Sequence, residues 1–224
     1  MEINKALEVL RNGGVILYPT DTVWGIGCDA TDPAAVAKVY EIKKRADSKS
    51  LVLLASDMDM ICRYVKEVPE MAVQLVEVND KPMTIIYPDA VVGPSPAASA
   101  PVSSGTSASE TSSMNGAGKS LPTFPKADRR CLAFNTVAED GTVGIRIPMM
   151  DFCQQLVAKF GRPLVSTSAN ISGEETPNNF SEISPEIINA VDYVVGYKQL
   201  EKGKAKSSSI IKLTENGTVT IIRQ

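Results

Sequence analysis

The stretch Ser166-Thr167-Ser168-Ala169-Asn170-Ile171-Ser172-Gly173 constrains this chain more than any other. It follows Pro163-Leu164-Val165, an apolar run that reads as the end of a buried strand. Hydroxyls and an amide then arrive together, and Gly173 allows a tight exit. In open α/β sheets, ligands bind beyond the carboxyl ends of strands. A Ser/Asn-rich turn after a strand is also an ordinary connection. The stretch therefore gains its functional weight from the rest of the chain.

The 224 residues, 43% of them hydrophobic, suffice for one sizeable domain with a real core. The net charge of -3 gives no overall basic footprint for nucleic acid. The chain contains no histidine, which excludes Ser-His-Asp and Cys-His catalysis and His-ligated metals. Cys28, Cys62, Cys131 and Cys153 form no C-x-x-C pair, so neither a zinc site nor a disulfide framework is indicated. Four reduced thiols fit a cytoplasmic protein. Met1-Glu2-Ile3-Asn4-Lys5 lacks the apolar region of a signal peptide. No apolar run approaches the roughly 20 residues that span a bilayer, so no membrane partner is expected.

Several other strand ends resemble the first. Ile3 to Leu10 has helical spacing and stops at Gly13-Gly14. Val15-Ile16-Leu17-Tyr18 reads as a buried strand, ended by Pro19 and followed by Thr20-Asp21-Thr22. Trp24-Gly25-Ile26-Gly27 then reads as a glycine-rich turn where backbone can approach a ligand. Asp32-Pro33 opens a helix that runs toward Ile42. Lys43, Lys44, Arg45 and Lys49 separate it from the strand Leu51-Val52-Leu53-Leu54. Such cations suit a helix C-terminus, and they also suit a polyphosphate. Helical patterns follow at Met58 to Tyr64 and Pro69 to Val78, then a strand at Lys81 to Tyr87. From about 88 to 130 the chain is rich in Ser, Ala, Pro and Gly, and reads as a flexible low-complexity insert. Its Gly116-Ala117-Gly118-Lys119-Ser120 is no phosphate-binding loop, because Ser113 takes the first glycine's place and no strand precedes it. Order resumes with the strand Thr142 to Pro148, which carries Arg146, and with an amphipathic helix from Phe152 to Phe160 closed by Gly161. After the organising stretch, Ser184-Pro185 opens a helix, and Asp192 to Gly196 reads as a short strand. The basic loop Lys202-Gly203-Lys204-Ala205-Lys206 leads into Ser207-Ser208-Ser209-Ile210-Ile211, and Gly217 to Ile222 is a last strand beside Arg223.

This irregular alternation predicts an α/β fold of the α+β-like kind, one domain over 1–224 built on a mixed sheet. Hydroxyls end several strands: Thr20 and Thr22, Thr84, Ser166 and Ser168, Ser208 and Ser209. Lys43, Arg45, Lys49, Arg146 and Arg223 lie beside such ends. If they converge, they make a pocket for a polyanion and a small polar ligand. Phosphoryl and nucleotidyl transfer rests on positioning and charge stabilisation and needs no histidine nucleophile.

Five motifs in one order carry a resemblance. They are Pro19-Thr20-Asp21-Thr22-Val23-Trp24-Gly25, Lys43-x-Arg45, Arg146-Ile147-Pro148, Ser166-x-Ser168-Ala169-Asn170-x-Ser172-Gly173 and Ser208-Ser209-Ile210. In these the chain resembles the YrdC family of threonylcarbamoyl-AMP synthases, over nearly everything except the insert. The resemblance implies a twisted open sheet with helices around a large concave, partly basic cavity. It implies synthesis of threonylcarbamoyl-AMP from L-threonine, bicarbonate and ATP, with release of pyrophosphate. The product would pass to the machinery that modifies tRNA, with weak tRNA or double-stranded RNA binding as an accompanying expectation. By the same resemblance Lys43 and Arg45 would be catalytic, and Thr22, Arg146 and Ser208 would hold threonine. Arg45, Lys49, Thr142, Ser166, Ser168, Asn170, Thr176 and Arg223 would hold ATP, which would arrive with Mg²⁺. No prosthetic group and no protein metal site are implied. The pattern departs from the family at Ala46 and Ser50, where Pro is usual, at Ser209, where Thr is usual, and over Asn79 to Thr84. The rival expectation is a YrdC-like module that binds RNA or nucleotide without synthesis.

Overall fold

The computed structural model describes residues 2–44, 51–95, 130–201, 207–214 and 216–224. Arg45, Lys49, the basic loop at 202–206 and most of the expected insert, 96–129, lie outside the described residues.

The described chain forms two mixed sheets where the sequence suggested one. The smaller contains β1 (Ile16–Tyr18), β2 (Gly25–Gly27), β7 (Thr167–Ser168) and β8 (Tyr193–Val194), in the order β7-β2-β1-β8. The larger contains β3 (Val52–Leu54), β4 (Met83–Tyr87), β5 (Val143–Arg146), β6 (Leu164–Val165), β9 (Ser209–Leu213) and β10 (Val219–Arg223), in the order β10-β9-β4-β5-β3-β6. In the larger sheet β3 runs parallel to β5 and β4 parallel to β9, and the other pairs are antiparallel.

The organising stretch stitches the sheets together. β6 pairs with β3 in the larger sheet, and two residues later β7 pairs with β2 in the smaller. At the junction the Ser166 amide donates to the Val52 carbonyl at 2.8 Å, while the Val165 amide donates to the Cys28 carbonyl at 2.9 Å. A strand with partners on both edges leaves few backbone groups unsatisfied. The close approach needs Gly27, because a Cβ there would lie 2.5 Å from the Val165 carbonyl oxygen and 2.7 Å from Tyr18. Just upstream, Arg162 pairs with Asp29 at 2.9 Å, both side chains nearly buried, and stacks 4.2 Å over the Phe160 ring. This pair pins the register of the seam.

The helices form where the spacing predicts them. α1 (Glu2–Arg11) buries Ala6, Leu7 and Leu10. α2 (Pro33–Ile42) is capped by the Asp32 carboxylate, which accepts from the Ala34 and Ala35 amides at 2.9 and 3.3 Å. α3 (Met58–Tyr64) and α4 (Glu70–Val78) precede β4. α5 (Asp151–Phe160) ends at Gly161 with φ 75°, a left-handed cap that glycine adopts without steric cost. α6 (Pro185–Ala190) is capped by Ser184. The core is continuous across both sheets, with Tyr18, Leu17, Ile26, Leu53, Ile85 and Tyr87 almost fully enclosed. Residues 88–95, assigned from composition to the insert, are tied to this body. Ala90 bridges to Val65 and Val92 to Leu132, and Leu132 is fully buried.

Candidate active site

The strand ends converge. A cavity of about 310 Å³ opens along the seam between the sheets. It is lined from the smaller sheet by Thr20, Thr22 and Gly25, and from the larger by Thr84, Arg146 and Ser208. Ser166 and Ser168 close it from the organising stretch, Thr176 from just beyond that stretch, and Arg223 from the last strand. A second compartment of about 420 Å³ adjoins it through Thr22 and is lined by Asp21, Lys81, Ser207, Ser209 and Gln224.

Pro19 ends β1 and turns the chain, and Thr20 fixes the turn. Its hydroxyl donates to the Val23 carbonyl at 2.7 Å and accepts from the Thr22 amide at 3.1 Å. The two threonine hydroxyls lie 2.9 Å apart. The Thr20 proton is committed to Val23, so Thr22 is the donor between them. Across the seam, Arg146 reaches over from β5. Its Nη1 donates to Asp21 Oδ1 at 2.5 Å and its Nη2 to Thr22 Oγ1 at 3.3 Å. The other Asp21 oxygen accepts from the Met149 amide at 3.0 Å. Arg146 is therefore paired with a protein carboxylate, and both side chains are nearly enclosed, at 4% and 9% exposure. Beneath them, burial and then the Asp21 charge push the Cys153 thiol far above its ordinary range, which keeps it inert.

On the opposite wall, Ser208 Oγ lies 2.9 Å from Thr84 Oγ1. The Ser208 carbonyl accepts from Arg223 Nε and Nη2 at 3.0 and 2.7 Å. These bonds fix the Arg223 fork across the β9–β10 pair, facing the cavity.

Three of the expected site residues lie elsewhere. Lys43 and Asn170 are absent from the cavity lining and brace the turn behind it. Lys43 is 2% exposed, and its ammonium donates to the Ser168 carbonyl at 2.5 Å and the Asn170 carbonyl at 2.8 Å. Asn170 Oδ1 accepts from Ser168 Oγ at 2.5 Å, and its Nδ2 donates to Glu174 O at 2.7 Å. Both residues thereby hold Ser168 against the cavity. Thr142 is the third. Its hydroxyl donates to Asp140 Oδ1 at 2.6 Å, and Asp140 also pairs with Lys212 at 2.8 Å on the surface. Thr142 thus leads from a turn into β5 and lines neither compartment. Asp21, by contrast, is a site residue that residue-type reasoning passed over. Its signal was a carboxylate between two threonines at a strand exit.

Hydroxyls, amides and two guanidinium groups around a cleft suit an anionic ligand with polar substituents. Among the described residues, no cluster of three or more His, Cys, Asp or Glu could hold a metal ion. Among them too, no helix is long and apolar enough to cross a membrane.

Comparison with known proteins gives this geometry its context. The Sua5/yciO/yrdC family model, described as telomere recombination, matches residues 8–108 and 118–224. A protein from Xanthomonas euvesicatoria pv. vesicatoria named threonylcarbamoyl-AMP synthase is 30% identical over 198 residues, covering 87% of this chain and 85% of its own. The crystal structure of E. coli YciO superposes with a TM-score of 0.69 at 25% identity, over 99% of this chain and 88% of its own. The P. abyssi Sua5 structure carrying the H234A/Y235A substitutions superposes with a TM-score of 0.71 at 23% identity. This chain spans 56% of that Sua5 chain. On the family model and on identity to the relative, the chain belongs to the Sua5/YciO/YrdC family.

Proposed function

We propose that this chain is a threonylcarbamoyl-AMP synthase, joining L-threonine, bicarbonate and ATP and releasing pyrophosphate. The observation that carries the reading is the meeting of Thr22, Arg146, Ser166, Ser168, Thr176, Ser208 and Arg223 at one cavity. These residues come from six separate segments of the chain, and the relatives named for this activity support the same reading.

The reaction needs threonine's amine to take up bicarbonate as a carbamate, with loss of water. A carbamate oxygen then attacks the α-phosphorus of ATP, and the bond to pyrophosphate breaks. Such a transfer asks the protein to orient substrates and to stabilise charge on phosphoryl oxygens. Arg146 and Thr22 hold threonine at the seam, and Ser208 closes that subsite from β9. Ser166 and Thr176 offer hydroxyls to the nucleotide, Ser168, whose proton is held by Asn170 Oδ1, offers its oxygen as an acceptor, and Arg223 supplies positive charge to the phosphates. Lys43 and Asn170 act as positioning residues for Ser168. Arg45 and Lys49 keep the assignment to ATP that the family resemblance implies. Magnesium enters as the counterion of ATP. The product passes to the machinery that modifies tRNA in the cytoplasm, and any RNA contact by this chain itself is weak.

The test is pyrophosphate release by the purified protein, with each substrate omitted in turn. Release should require threonine and bicarbonate as well as ATP. ATP turnover that ignores threonine would overturn the reading, and so would nucleotide binding without turnover, the behaviour of a binding module.

A further inference from the structure

Asp21 is the one carboxylate side chain among the described residues that line either compartment. The other charged side chains lining them are Arg146, Arg223 and Lys81. A site built for ATP and bicarbonate, both anions, gains nothing from a carboxylate unless it pairs with a cation. Asp21 already pairs with Arg146, which offers one account of it: compensation of a nearly buried guanidinium. That account leaves acceptor capacity over. Each Asp21 oxygen has a single hydrogen bond, one to Arg146 and one to the Met149 amide, and each can accept a second. The residue also borders the second compartment, so its carboxylate is within reach of a ligand.

Of the three proposed substrates only threonine has a cationic group of its own, its ammonium. Threonine presents ammonium and carboxylate side by side, and Arg146 and Asp21 present the opposite charges side by side. The pair lies where the two compartments meet, since Thr22 borders both. We infer that Asp21 receives the threonine ammonium, so that the Arg146–Asp21 pair is a receptor for a zwitterion and selects an α-amino acid over other small carboxylates. This rests on the synthase reading above. It gives a physical reason for a neutral charge pair beside a basic phosphate subsite. The pair attracts the dipolar amino acid without drawing ATP phosphates into the threonine position.

The test needs no mutation in its first arm. L-threonine and the analogue with a hydroxyl in place of the amine are titrated calorimetrically into the wild-type chain. The analogue keeps the carboxylate, the β-hydroxyl and the size, and loses only the cation. Wild type should prefer threonine by roughly tenfold or more, the cost of one charge-assisted hydrogen bond. In the second arm Asp21→Asn, checked for folding by its melt, should narrow that preference to about threefold or less while weakening both ligands through Arg146. A role confined to orienting Arg146 would weaken both ligands equally and leave the preference intact, which overturns the inference. Equal affinity of wild type for the two ligands overturns it without any variant. Failure of the wild-type chain to bind threonine at all overturns the synthase reading itself, and this inference with it.

Discussion

Replacing Lys43 by methionine separates a brace from a catalyst. Methionine keeps the side chain as far as its ε-carbon and removes the ammonium. In the structure Lys43 is 2% exposed and its ammonium donates to the carbonyls of Ser168 and Asn170. Two hydrogen bonds from a charged donor are worth roughly 3–6 kcal/mol together before offsets. Removing a buried charge returns part of its desolvation cost, several kcal/mol for an ion in a protein interior. The Ser168 carbonyl also keeps a bond from the Asn170 amide at 3.0 Å, so it is not stranded. The net cost should be about 2 kcal/mol, or a fall in Tm of roughly 4–8 °C for a chain of this size. The turn that presents Ser168 loosens, so ATP affinity should fall about tenfold while threonine affinity stays within about threefold, a difference near 1 kcal/mol. Thermal melts and calorimetric titration of both ligands read all of this. An unchanged melt with turnover abolished would refute the bracing argument and return Lys43 to a direct catalytic role. An unchanged melt with unchanged ATP affinity would refute both.

Three further outcomes follow from particular contacts. Gly27→Ala should cost about 3 kcal/mol by overpacking, because the new methyl would sit 2.5 Å from the Val165 carbonyl; urea melts check it, and wild-type stability would show that the seam gives way easily. Hydrogen bonding from Lys212, and then from Thr142, draws the Asp140 carboxyl down to about 2. Its folded value lies below its unfolded one, so its contribution is complete above about pH 4 and is lost as pH falls toward about 2. The pair is half exposed, so solvent screening limits it to no more than about 1 kcal/mol; Asp140→Asn should flatten that acid limb in melts across the window. Deleting 96–129 and joining its flanks should keep a cooperative melt, because that composition lacks a core-forming pattern; a large loss of Tm would show that the segment packs on the core.

The elements with strong apolar runs were legible from the sequence. Val15 to Tyr18 and Leu51 to Leu54 became β1 and β3, and Asp32-Pro33 capped α2. β2 was not, because Gly25-Ile26-Gly27 has only one β-branched side chain and its partners are set by the seam. The second sheet was hidden for the same reason. Nothing local in Ser166 says that the residues before and after it pair in different sheets. Within the site, the hydroxyls could be found by type, since strand ends collect them. The work of Lys43 and Asp21 could not, because their partners lie far away in sequence, 125 residues in each of the shortest contacts. The local bond of the Thr142 hydroxyl to Asp140, two residues earlier, was likewise not legible from residue type alone.

The central claim is that this cavity joins threonine, bicarbonate and ATP into one molecule. The most direct measurement is mass spectrometry of the products formed from isotopically labelled bicarbonate with threonine and ATP. The account predicts threonylcarbamoyl-AMP carrying the label, formed in step with pyrophosphate and lost when threonine is withheld. Pyrophosphate without any labelled adenylate, or no product from a folded protein that binds both threonine and ATP, would contradict it.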